Sequence, residues 1–371
     1  NSGTPNSVQF SQSTIPVLES DGRVTISLSR TGVTSGPAAI SYVTSDAAGL
    51  NNCNVVNGSA SSRCDYAVSI GTINFAAGET SKTFSIPIVD DSYNEGPESF
   101  TITLVNPTSA GLGFPSSAVI AISDNDNPTG PNPIAQTAFF VRQHYIDFLG
   151  REPDGQGSNY WIGDIDNCTP KPECTELKRI NVSASFFLSI EFQESGYLAY
   201  RAYKTAYGDA TGQAVVQNVP TQISVPIIRF PEFLADSHAI GDGVTVGIPG
   251  WEQKLESNKV AYFASFVSRP GFLNDYPLSM TATDFVNKLN ANAGNVLSSS
   301  ERDTLITQLQ SAQKTRAEVF RAVTENETLR VNESNRAFVL MQYFGYLRRN
   351  PNDPQDTDYS GYKFWLDKLN L

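Results

Sequence analysis

The chain has 371 residues, long enough for roughly two or three domains with ordinary cores. Its net charge of −12 and pI of about 4.7 disfavour non-specific binding to nucleic acid. Charged residues make up only 17% of it, a profile that suits a secreted protein better than a cytosolic enzyme.

From Val8 to about Ile122 the apolar residues alternate. Val24, Ile26 and Leu28 predict one strand, Ile40 and Tyr42 another, and Phe84, Ile86 and Ile88 a third. Phe100, Ile102 and Leu104 predict a fourth, and Val119, Ile120 and Ile122 a last one. Turn residues separate them: Asp21-Gly22, Ser35-Gly36-Pro37, Ala77-Gly78-Glu79 and Asn106-Pro107. Short strands at this spacing predict an immunoglobulin-like antiparallel sandwich of roughly seven strands over residues 1–127. The segment 128–136, rich in Pro, Gly and Asn, reads as a linker.

Over residues 137–371 the period becomes helical, so the fold class is a β-sandwich followed by an all-helical domain. Phe140, Val141, Ile146, Phe148 and Leu149 mark a helix that stops near Gly150 and Pro153. Further helices are predicted across Glu176–Phe187, Gly196–Tyr207, Trp251–Val267, Thr283–Leu289, Ser299–Val323 and Asn332–Leu347. Gly212–Val225 is polar and β-branched, a loop or short hairpin, and the glycines of Gly241–Gly250 mark an irregular segment.

This half repeats itself. Phe140-Val-Arg-Gln-His-Tyr-Ile-Asp-Phe-Leu-Gly-Arg-Glu-Pro153 matches Phe338-Val-Leu-Met-Gln-Tyr-Phe-Gly-Tyr-Leu-Arg-Arg-Asn-Pro351. After each, Gly157-Ser-Asn-Tyr-Trp161 answers Gly361-Tyr-Lys-Phe-Trp365, so 137–210 and 330–371 are expected to be related. A weaker pair joins Ala184–Phe192 to Ala264–Phe272. The Tyr and Trp positions are read as core.

The four cysteines fall into two close pairs, Cys53 with Cys64 and Cys168 with Cys174. Local pairs predict two short-loop disulfides and an oxidising compartment. Neither spacing suits zinc, and there are only two histidines, His144 and His238. No apolar run is long enough to span a bilayer. The start at Asn1 without a methionine is read as a mature chain whose signal peptide has been removed.

The run Val89-Asp-Asp-Ser-Tyr-Asn-Glu-Gly-Pro-Glu-Ser-Phe100 packs Asp90, Asp91, Glu95 and Glu98 into nine residues. Such acids repel one another unless solvated or neutralised. Calcium, a hard cation taking roughly six to eight oxygen ligands, is the usual remedy.

Residues Val8 to Asp126 resemble the Calx-beta family, an immunoglobulin-like sandwich of calcium sensors and extracellular proteins. The resemblance rests on Val17-Leu-Glu-Ser-Asp-Gly22, Tyr42-Val-Thr-Ser-Asp46, Asp65-Tyr66 and Gly71-Thr-Ile-Asn-Phe-Ala-Ala-Gly-Glu-Thr80. It closes with Asp90-Asp-Ser-Tyr-Asn-Glu-Gly-Pro-Glu98 and Asp124-Asn-Asp126. The resemblance implies calcium ligands at Glu19, Asp65, Asp90, Asp91, Glu95, Glu98, Asp124 and Asp126, with Asp46 shaping its turn. One departure is an insertion from Asn51 to Arg63, bracketed by Cys53 and Cys64. Its bridge either fixes Asp65 or the inserted loop displaces it.

The helical half resembles a bacterial family of unknown function, through Phe148-Leu-Gly-Arg-Glu-Pro-Asp-Gly-Gln-Gly-Ser-Asn-Tyr-Trp161. That family recurs in exported and surface proteins, so the resemblance implies a location rather than an activity.

No catalytic site is expected. Asp147, Glu152 and Asp154 lie close enough to suggest a carboxylate pair for glycan hydrolysis. Yet Asp154-Gly155 reads as a turn and Arg151-Glu152 as a helix-end ion pair. His144 has no evident Ser or Cys partner in the sequence. The expectation is a secreted, calcium-binding structural or adhesive protein, a self-assembling subunit of an extracellular filament or surface layer. Self-association by strand addition or domain contacts is expected, with no nucleic-acid partner and no transmembrane segment. The alternative is a glycan-binding module or accessory of a polysaccharide-degrading system, reaching surface glycans.

Overall fold

In the computed structural model the alternating apolar residues of the N-terminal third close two sheets over one core. The structure describes residues 6–45, 48, 56–62, 65–66, 69–90, 94–126, 135–168, 171–345, 347, 349–353 and 356–371. Asp46, Cys53, Cys64 and Asp91, and most of the 128–136 linker, lie outside them. The chain folds as two compact units, Asn1–Phe140 and Val141–Leu371.

The sandwich has nine strands among the described residues: β1 (Ser7–Phe10), β2 (Thr14–Leu18), β3 (Arg23–Thr31), β4 (Ala38–Thr44) and β5 (Ile70–Phe75), then β6 (Ser81–Pro87), β7 (Glu98–Thr108), β8 (Gly111–Leu112) and β9 (Ser117–Ser123). One sheet runs β6-β3-β1-β8, the other β2-β9-β7-β4-β5. Val24, Ile26 and Leu28 of β3 share one apolar core with Ile40, Phe100, Ile102, Leu104 and Ile120 of the second sheet. Each such side chain contributes about 1.5–3 kcal/mol by leaving water.

The nine strands exceed the seven expected. β8 is two residues long, and β2 contains Pro16, which an edge strand tolerates because its missing N–H costs no ladder bond. Asn6 and Ser7, the first described residues, are held within their own sandwich. Ser7 pairs with Thr31 and Gly111, and the Asn6 side chain accepts from the Arg30 guanidinium at 2.9 Å.

The helical unit opens with α1 (Thr137–Leu149), α2 (Gly155–Asp166), α3 (Pro172–Leu188) and the short α4 (Ile190–Gln193). α5 (Gly196–Tyr207) leads into a hairpin, β10 (Asp209–Val216) and β11 (Val219–Pro226). Gln217 and Asn218 both adopt positive φ, as a two-residue hairpin turn requires. Then come α6 (Phe230–Gly241), α7 (Trp251–Phe266), α8 (Pro270–Asp275) and α9 (Ala282–Asn292). α10 (Ser299–Gln310), α11 (Arg316–Thr324), α12 (Glu327–Asn332), α13 (Ser334–Gly345) and α14 (Ser360–Leu369) complete it. α5 is buried from Gly196 to Ala206 and forms the centre of the unit.

Three expectations are corrected here. The helix expected across Ser299–Val323 is two helices. Ala312 turns left-handed at φ 55, and Thr315 restarts the chain with a capping box to Glu318. The turn expected at Asp154-Gly155 is the N-cap of α2, where the Asp154 carboxylate accepts from the Gly157 N–H at 2.7 Å. α6 was not expected at all, although Pro231 and Glu232 in its first turn are helix-start residues.

The internal echo is visible in three dimensions. α1 and α13 are each followed by an arginine that lies over a tyrosine ring of that same helix. Arg151 sits 5.0 Å from Tyr145, and Arg349 5.5 Å from Tyr343. Gly157 of α2 and Gly361 of α14 each lie so close to that tyrosine's hydroxyl that a side chain there would collide with it. The weaker pair recurs as a long helix followed by a short one, α3–α4 and α7–α8.

Candidate metal centre

Strand register assembles the acids at one end of the sandwich. β2 runs parallel to β9 with Leu18 opposite Ser123, so the next residues, Glu19 and Asp124, emerge side by side. β7 pairs antiparallel with β9, Glu98 opposite Ile122, which delivers the start of β7 to the same end. Asp65 arrives from the segment before β5. Its carbonyl accepts from the Val89 N–H at 2.9 Å, and its neighbour Tyr66 bridges to Ile88 and stacks on Phe100 at 3.7 Å.

Two groups of three carboxylates result. Oxygens of Glu19, Asp124 and Asp126 lie within 4.8 Å of one another, and so do oxygens of Asp65, Glu95 and Glu98. Glu19, Asp65, Glu95 and Glu98 are buried. Asp124 is fixed by three backbone donors, the N–H groups of Glu95, Gly96 and Asp126 at 2.8, 2.7 and 2.6 Å. One buried oxygen of Asp126, Oδ2, has no hydrogen-bond partner among the described residues. Burial, with Asp124 and Asp90 nearby, pushes the Asp126 carboxyl up to about 6.

Of the eight expected ligands, six fall in these two groups. Asp90 stands at the edge, its Oδ1 accepting from the Asn125 amide at 3.3 Å, and Asp91 lies outside the described residues. Asp65 is not displaced by the insertion that precedes it. The sequence reading missed Asn94 and Asn125. The Asn94 amide donates to the Asp126 carbonyl at 2.9 Å, and the Asn125 side chain accepts from the Ser20 N–H at 3.1 Å. Both asparagines tie acid-bearing loops together, and their place inside Asn-Glu-Gly and Asp-Asn-Asp was the available signal.

The donor set is all carboxylate oxygen, which suits a hard cation and not zinc, whose sites favour nitrogen and sulfur. Six acids from separate segments, with an orphaned oxygen among them, fit calcium.

In the helical unit the residues weighed for catalysis have structural uses. Glu152 pairs with Arg142 at 2.8 Å, whereas Arg151 reaches Glu191 at 2.5 Å, so the expected Arg151–Glu152 pair is replaced by two longer-range ones. Asp154 caps α2, and the Gly157 N–H, with Arg151 beside it, holds its carboxyl below the usual range. Asp147 accepts from Gln143 at 3.0 Å. His144 does have a serine partner, the Ser183 hydroxyl on α3, but both are buried and the ring packs between Phe148 and Phe186. Cys168 and Cys174 form a disulfide that closes the turn between α2 and α3. Among the described residues no helix is long and apolar enough to cross a membrane.

Residues 3–126 match the family model of the Calx-beta domain. The N-terminal unit is a Calx-beta domain. The chain is similar to sodium/calcium exchanger 1 of Felis catus, 30% identical over 137 residues, which is 32% of this chain and 13% of that protein. It is also similar to extracellular matrix protein 3 of Lytechinus variegatus, 31% identical over 218 residues, 50% of this chain and 7% of that one. The chain thus spans a small fraction of the curated relatives it matches. Among solved structures it is similar to the apo form of the Calx CBD1 domain, at 28% identity and a TM-score of 0.29. That match covers 33% of this chain and all of the other. It is also similar to calcium-binding domain CBD12 of CALX1.1, at 29% identity and a TM-score of 0.29, covering 32% of this chain and 46% of that one.

Proposed function

We propose that this is a secreted structural or adhesive protein whose Calx-beta domain binds calcium, and that it self-assembles in an extracellular filament or surface layer. The observation that carries the calcium reading is the pair of carboxylate triads, each gathered within 4.8 Å by strand register. Glu19, Asp124 and Asp126 would hold one ion position and Asp65, Glu95 and Glu98 another, with Asp90 at the margin. Bound calcium supplies positive charge that offsets the repulsion among these acids.

The names of its relatives support both parts of the reading, one an exchanger of calcium and the other an extracellular matrix protein. The Cys168–Cys174 bridge supports an oxidising compartment. The glycan-binding alternative called for exposed, coplanar aromatics. The exposed pair Phe364–Trp365 meets edge to face at 80°, and the exposed Tyr160 meets the half-buried Trp161 at 75°.

Calorimetry with calcium and with chelator tests the reading. Calcium at a hundred times its dissociation constant stabilises the folded state by about 2.7 kcal/mol, seen as a higher melting temperature for the sandwich. Identical melting curves in calcium and chelator, with no binding heat, would overturn it.

A further inference from the structure

Among the described residues the sandwich has four sheet edges, β6 and β8 in one sheet and β2 and β5 in the other. An open edge presents unpaired N–H and C=O groups, and it pairs with another chain unless something blunts it. Three of these edges are blunted. β8 is two residues long, and β2 carries Pro16. β6 ends in Pro87 and sets Lys82 on its core-side face, opposite the buried Leu28. An inward-pointing charge of that kind keeps a second strand away. β5, Ile70-Gly-Thr-Ile-Asn-Phe75, has neither charge nor proline along its six residues.

Strand register shows which groups of β5 are free. The Thr44 N–H donates to the Ser69 carbonyl at 3.0 Å, and the Ser45 N–H to the Thr101 carbonyl at 2.7 Å. From Tyr42 to Ser45, therefore, the even-numbered residues of β4 bond toward β5 and the odd-numbered ones toward β7. Gly71, Ile73 and Phe75 of β5 accordingly turn their N–H and C=O groups toward β4, and those of Ile70, Thr72 and Asn74 point away from the sheet. Thr72 and Asn74 are also exposed.

We infer that β5 pairs antiparallel with β5 of a second copy about a two-fold axis, with Thr72 opposite the second copy's Thr72 and Ile70 opposite its Asn74. This register uses every outward residue of the strand, and each such pair exchanges two backbone bonds. On the core-side face the half-buried Ile73 comes opposite the second copy's Gly71, where the Tyr42 ring fills the place of a side chain. The isoleucine thus gains apolar cover from that ring. The edge is uncharged, so two copies of an acidic chain meet there without like-charge repulsion between the strands. A two-fold contact closes at a dimer, so this one supplies a single step of any larger assembly. The inference rests on the self-association part of the reading above and does not depend on calcium.

Sedimentation velocity over a concentration series, with calcium present, tests it together with cysteine cross-linking read on non-reducing gels. Wild-type protein dimerises. Thr72→Pro removes an N–H that the monomer does not use, so the melting temperature holds. Association weakens about 30-fold, the worth of the central pair's two bonds. Thr72→Cys cross-links to its own copy under mild oxidation, because a hydrogen-bonded pair sets its Cα atoms about 5.5 Å apart, within disulfide reach. Asn74→Cys does not, since the axis sets the two copies of that residue at opposite ends of the pairing. If Thr72→Pro lowers the melting temperature, the two cysteine variants decide between them. Dimerisation untouched in a stable Thr72→Pro variant, or Asn74→Cys cross-linking as readily as Thr72→Cys, shows that this edge is wrong while self-assembly stands. Wild-type protein that remains monomeric to about 1 mM overturns the edge and the self-assembly reading together.

Discussion

At one end of the sandwich Glu19, Asp124 and Asp126 crowd within 4.8 Å of one another. In the helical unit the buried Asp236 instead meets the Arg269 guanidinium through two bonds of 2.8 Å, with the Tyr262 hydroxyl 3.1 Å away. Lys259 is likewise held between Glu194 and Glu325, and Asp209 between Lys204 and Arg336. The helical unit neutralises its charges with its own side chains, so its charges hold shape. The sandwich gathers carboxylates at this end, and under the proposed function a cation from solution neutralises them. A carboxylate thus has opposite meaning in the two units, and the difference can be tested one residue at a time.

The largest effect is expected at the helical end of that contrast. Arg269→Met removes the cation and leaves Asp236 buried without it, which costs about 3–5 kcal/mol. Urea denaturation should show the loss in the helical transition, with calcium affinity unchanged. A variant as stable as wild type would mean that the pair does not hold the unit together. Asp154→Ala should cost less, about 1 kcal/mol, because it removes one N-cap and one exposed partner of Arg151. Thermal unfolding with calcium present reads that loss. A neutral result would place the start of α2 under the control of packing instead.

How much of this was legible in the sequence depended on whether the signal was local. Strand alternation such as Val24-Thr-Ile-Ser-Leu28 follows directly from burial of one face, so β3 and β7 were visible. β8 and β2 were not, because two residues carry no period and Pro16 argues against a strand. Helix ends were legible where Gly and Pro mark a stop, as at Gly150 and Pro153, but the capping box Thr315-Arg-Ala-Glu318 passed unnoticed and two helices read as one. The acids of the candidate site were found through their resemblance to a family, but their division into two triads was not. That division depends on the register of Leu18 with Ser123 and of Glu98 with Ile122, which no local pattern encodes. Ion-pair partners failed for the same reason. Arg151 sits beside Glu152 in sequence, yet it pairs with Glu191, 40 residues away.

The smallest effect is the most direct comparison, because it sets one aspartate against another. The Gly157 N–H and Arg151 hold Asp154 below the usual range, whereas burial, with Asp124 and Asp90 nearby, raises Asp126 to about 6 from 3.8. Below pH 3.8 Asp126 is protonated in both folded and unfolded chains and contributes nothing to the difference between them. Between 3.8 and 6 the folded chain holds the proton more tightly, so stability in chelator falls as pH rises through that window. Solvent screening at this partly exposed group limits the loss to a few tenths of a kcal/mol. Asp126→Asn should remove that slope, leaving the calcium-free variant slightly more stable than wild type above pH 6. In excess calcium the order reverses. The ion displaces the proton, wild-type affinity climbs as pH passes 6, and the asparagine variant binds more weakly throughout. Melting curves of both proteins from pH 4 to 7, with calcium and with chelator, separate the two regimes. Superimposed chelator profiles would show that Asp126 is not strained by its neighbours, and the like-charge account of this end of the sandwich would fail with it.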